Sequence, residues 1–142
     1  MKSRKIAGSA DVLPESMQIR LDQLRRKLLH LHKILLDAER AAYEREHGRK
    51  TSGEILQLLI NHEQFAWLHR ISELVVRIDE ILEVEDASTA TTDAAIMLTE
   101  ARSLLMPSET GDDFGRKYYE ALQRQPEAVL AHKDVAAILS DG

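Results

Sequence analysis

The chain has no cysteine, only three prolines and only six aromatic side chains in 142 residues. Without a thiol there is no thiolate zinc site, iron–sulfur cluster, redox pair or cysteine nucleophile to consider. So few aromatics leave little to stack on nucleic-acid bases. No segment approaches the roughly 18 consecutive apolar residues of a membrane-spanning helix. The basic residues 1–5 are followed by Ile6-Ala7-Gly8-Ser9-Ala10-Asp11, which lacks the continuous apolar core of a secretory leader. A cytoplasmic protein without a membrane partner is expected. Glycine-rich phosphate loops, GxSxG and HExxH are also missing, since His62-Glu63 is followed by Gln64-Phe65-Ala66.

What is present is 44% hydrophobic and 30% charged residues, enough apolar surface for one core without disulfides or a structural metal. Residues 1–12 show no periodicity and are expected to be a flexible tail, leaving 13–142 as a single helical domain. Residues 1–50 carry twelve Lys/Arg against seven Asp/Glu, and the remainder seven against seventeen. The basic half includes Arg20, Arg25, Arg26 and Lys27, but acidic residues alternate with the basic ones, so nucleic acid is not the expected partner.

Leu21, Leu24, Leu28, Leu31, Leu35, Ala38 and Ala42 form a seven-residue repeat that predicts a long first helix, opened near Pro14 and closed at Gly48. Thr51 and Glu54 have the spacing of a capping box. The turn is therefore short, and the next helix runs back along the first. Its stripe is Leu56, Ile60, Trp67, Ile71, Leu74, Ile78 and Ile81, ending in the acidic run 83–86, with 87–92 as a linker. A third helix stops before Pro107, and a fourth is kinked or split at Pro126. No period-two alternation marks a strand. The expected fold is all-α: an up-and-down bundle of four main helices with a long helical hairpin first.

Three stretches are familiar together: Leu31-His32-Lys33-Ile34-Leu35-Leu36-Asp37-Ala38-Glu39-Arg40, then Phe65-Ala66-Trp67-Leu68 with the run 72–80, and Phe114-Gly115-Arg116-Lys117-Tyr118-Tyr119 with the run 120–124. They resemble a group of small uncharacterised bacterial all-helical proteins over most of residues 24–135. The resemblance implies a bacterial origin and a helical fold, and it carries no activity.

Two constellations stand out. Arg25, His32, Glu39 and Glu46 recur every seven residues beside the apolar stripe of the first helix, so they are expected to meet polar groups on a neighbouring helix. A polar seam that sets helix register is the simpler reading. The functional reading is a ligand pocket of His32, Glu39, Tyr43, Trp67 and Arg77. Folding the chain about residue 50 sets His32 level with Leu68 and His69, and Glu39 level with Asn61 and His62. No metal site or cofactor is expected, with His32 and His69 the nearest approach to a ligand pair. The second constellation is Leu58, His62, Phe65, His69, Ser72 and Val76, a heptad seam on the second helix that either the same chain or a second copy must cover. A di-iron site fails for want of a second Glu-x-x-His, since only Glu44-Arg45-Glu46-His47 has that form. The expected function is a non-enzymatic protein-interaction module, a homodimer with a further protein partner. A small-molecule or metal-binding site between the first two helices is the alternative.

Overall fold

The computed structural model describes residues 13–140; the tail expected over residues 1–12, like residues 141 and 142, lies outside them. The described chain is all-α. Its helices are α1 (Glu15–His47), α2 (Ser52–Asn61), α3 (Glu63–Ala66), α4 (His69–Glu83), α5 (Ala87–Leu104), α6 (Asp113–Arg124) and α7 (Pro126–Leu139). No helix among the described residues is long and apolar enough to cross a membrane.

The seven-residue repeat sets the core: Leu21, Leu24, Leu28, Leu31 and Leu35 of α1 are all fully buried. α1 packs against α4 and α7, and α5 also packs against α4 and α7. The α1–α4 contact is antiparallel: Arg25 pairs with Asp79 at 2.7 Å, and His32 meets Ser72 at 3.1 Å. Ile71, Leu74, Val75 and Ile78 of α4, Ala90, Ala94, Met97 and Ala101 of α5, and Ala128, Ala131 and Val135 of α7 complete the interior. Arg20 reaches the carbonyls of Ile138 and Leu139, and Arg102 donates to Leu139 O at 2.7 Å. Two guanidinium groups thus satisfy the exposed carbonyls at the negative end of α7.

The N-termini of α2, α3, α5 and α6 each carry a side-chain cap. Thr51 and Glu54 form both bonds of the capping box. Gly48 has φ 83 and ψ 169, a region only glycine enters easily, so the chain turns there without becoming a left-handed helical cap. Arg40 and Glu44 brace this turn from within α1: Arg40 donates to Lys50 O at 2.9 Å, and Glu44 accepts from Lys50 N at 2.7 Å. That backbone bond, with Arg40 beside it, holds the Glu44 carboxyl below its ordinary range. Asp86 caps α5 through Thr89, which makes the expected linker 87–92 the first turns of that helix. Pro126 stands at the first position of α7, so the last segment is split there.

The second limb of the hairpin departs from the expected continuous helix. It is interrupted at His62, whose φ of −97 and ψ of 133 are extended, and again at Trp67-Leu68. No glycine or proline lies between Glu54 and Glu83, so the break has another source. In an unbroken helix Glu63 N would reach Leu59 O, and Gln64 N would reach Ile60 O. Instead His69 Nε2 meets Leu59 O at 2.7 Å, and His62 Nδ1 accepts from Gln64 N at 3.1 Å. Two imidazoles inserted into the hydrogen-bond ladder replace helical partners, a recognised cause of sharp kinks.

Candidate functional site

Three of the four polar residues spaced by seven along α1 meet polar partners on the second limb. Arg25 takes Asp79, and His32 Nε2 takes Ser72 Oγ. Glu39 accepts from Trp67 Nε1 at 2.6 Å and from Gln64 Nε2 at 3.3 Å. Glu46, the fourth member, lies out in solvent beside His47. Partners sit further along the second limb than a fold about residue 50 predicts: His32 meets Ser72 in place of Leu68 or His69, and Glu39 meets Gln64 and Trp67 in place of Asn61 and His62. Residues spent in the break do not advance along α1, which accounts for the offset. Burial holds the His32 imidazole below its ordinary pKa, and nearby His69 lowers it further.

These contacts do not gather the expected ligand pocket. Glu39 and Trp67 share a cleft, but Tyr43 lines a separate groove at the hairpin tip, and Arg77 pairs with Glu100 of α5 at 2.7 Å. His32 lies between, turned to Ser72. His32 and His69 direct Nε2 to different partners, Ser72 and Leu59 O. Among the described residues no three His, Cys, Asp or Glu side chains come together as a metal ion requires.

The heptad seam on the second limb is also redistributed. Phe65 is fully buried, Ser72 faces His32, His69 faces α2, and Leu58 is half-buried; only His62 and Val76 lie exposed. The break at His62 separates α2 from α4, and the six residues differ in burial along the limb. The main stripe divides likewise: Trp67, Ile71, Leu74, Ile78 and Ile81 are buried, whereas Leu56 and Ile60 are 53% and 54% exposed.

The cleft holding Glu39 and Trp67 has a volume of about 290 Å³, and the separate groove at the hairpin tip about 390 Å³. It is bounded by Ala38, Ala42 and Arg45 of α1 and by Lys117, Ala121 and Arg124 of α6. The tip groove is formed by Tyr43, Lys50 and one face of α2. There Tyr43 packs on His47, His62 and Phe65 with ring centroids 4.3, 5.4 and 5.8 Å away. The α6 side of the cleft is what the sequence reading missed; the spacing of Lys117, Ala121 and Arg124 on one helical face was its available signal.

The four basic residues at the head of α1 are all engaged: Arg20 with α7, Arg25 with Asp79, Arg26 with Asp22, and Lys27 with Asp134 at 3.6 Å. Away from these, Tyr118 is fully buried and its hydroxyl meets His132 Nδ1 at 2.6 Å. Burial pushes the Tyr118 hydroxyl well above the ordinary tyrosine range and lowers His132. Both shifts favour the uncharged form of each group.

No protein-family model matches the chain, and neither a curated protein nor a solved structure does.

Proposed function

We propose that the protein is a non-enzymatic interaction module that pairs with a second copy of itself through α2. The observation that carries this reading is the exposure of Leu56 and Ile60 on a helix whose main contact is the four-residue α3. A ten-residue helix is too short to hold its own shape in water. Here it is fixed by a capping box at one end and by His69 on Leu59 O at the other, which presents its apolar face preformed. Leu56 and Ile60 are one turn apart and follow the uncharged Ser52 and Gly53, so the stripe is free of ionised groups. Antiparallel pairing about a two-fold axis sets Leu56 of each copy against Ile60 of the other, a self-complementary arrangement with no like charges opposed.

The face is small, about 15 Å long. It falls in the range below roughly 1,200 Å² where association is weak and transient. Sedimentation equilibrium should show a reversible dimer that Leu56→Glu with Ile60→Glu abolishes without altering the circular dichroism spectrum. A monomeric wild type at about 1 mM, the dissociation constant that corresponds to only some 4 kcal/mol, would refute the pairing. The alternative, a ligand site in the seam, has less behind it, because Arg25, His32 and Glu39 each place polar atoms on α3, α4 or the turn between them.

A further inference from the structure

We infer that the cleft between α1 and α6 binds a small carboxylate with an apolar body, independently of any pairing through α2. Arg45 and Arg124 stand at its edge, one in the last turn of each helix. Neither takes part in an ion pair among the described residues. The third cation, Lys117, leans on Asp113 at 3.6 Å. Glu39, inside the cleft, is occupied on both oxygens by Trp67 and Gln64. The lining therefore sets three cations, Arg45, Lys117 and Arg124, against two carboxylates, Glu39 and Glu120, and one positive charge is in excess.

The shape has the matching chemistry. Ala38 and Ala42 on α1 face the cleft with Ala121 on α6, and three methyl side chains leave open the volume that larger residues would fill. The about 290 Å³ so left is at the lower end of small-ligand sites. Trp67, 5% exposed and fixed by Glu39, forms part of the apolar wall. A guanidinium fork grips a carboxylate through two parallel hydrogen bonds. A ligand with its carboxylate at the arginine rim and its hydrocarbon over the alanines satisfies both halves of the cleft.

Trp67 is the single tryptophan of the chain, so its fluorescence reports on this cleft alone. Titration with hexanoate should change the emission saturably, and hexanamide, of the same shape without the charge, should bind at least about tenfold more weakly. Arg45→Gln and Arg124→Gln, both at exposed positions, should each weaken hexanoate by about tenfold, with unchanged circular dichroism. Arg→Lys at either site should restore only part of the affinity. No saturable response to hexanoate, equal binding of the amide, or displacement by inorganic phosphate at the same concentration would overturn the assignment.

Discussion

At the scale of single residues, the chain meets its buried polar groups with one another. Trp67 Nε1 would be an unsatisfied donor in the core without Glu39, and the Tyr118 hydroxyl would lack a partner without His132. Replacing Tyr118 by Phe keeps the ring packing against Phe114, 5.6 Å away, and removes only the hydroxyl that meets His132. The expected cost is about 1–2 kcal/mol, read as a lower urea midpoint with an unchanged slope. A cost near zero would mean that the His132 nitrogen is satisfied by solvent. The residues involved were partly legible beforehand. Spacing by seven singled out Arg25, His32 and Glu39, because periodicity fixes the face a residue occupies. It left the partner open, since the residue opposite depends on where the other limb is interrupted.

At the scale of the element, the hairpin shows where periodicity stops being informative. Caps and turns were readable, because Thr51, Glu54, Gly48 and Pro126 act locally. The break at His62 was not, since an amphipathic stripe from Leu56 to Ile81 is equally compatible with one helix or with three. What decides is long-range: α4 is held at its register on α1 by Asp79 and Ser72, and the chain before it must fit the space that remains. His69→Ala removes the donor to Leu59 O, and hydrogen exchange should then rise roughly tenfold or more in α2 while Ile71–Ile81 is unchanged. Thr51→Ala should loosen the same helix from its other end by about 1 kcal/mol. If exchange rose equally in α4, the two helices would be one cooperative unit and the break only a bend within it.

For the molecule as a whole, two half-buried histidines tie stability to pH. Burial lowers both His32 and His132, and the unfolded chain returns each to an ordinary value near 6.5. His32 faces Ser72 and His69 on α4, and His132 faces Tyr118 on α6. Because the folded imidazoles bind protons less tightly, the unfolded state takes up more protons as acid is added. Their contribution is thus complete above about pH 7.5 and declines as pH falls through 6.5 toward the lowered folded values. Urea midpoints measured from pH 8 to pH 5 should fall on the acid side, and His32→Gln with His132→Gln should flatten that fall. A midpoint that stays level in the wild type would show that neither imidazole resists protonation.

The overhang of α1 bears on how such a chain can vary. No residue of α1 after Leu35 is buried, although the helix continues to His47. The tip therefore stands outside the register that locks the body, and the kink at His62 takes up residues of the second limb that have no counterpart on the first. Length can change in this region without removing any of the fully buried leucines of α1. A deletion of about one helical turn from α2, near four residues, should be absorbed by a straighter limb, whereas the same deletion within Ile71–Ile81 would pull Ser72 and Asp79 off their partners. The hairpin tip is in that sense a tolerance zone, where a lineage could lengthen, shorten or redirect its contact helix while inheriting the body intact.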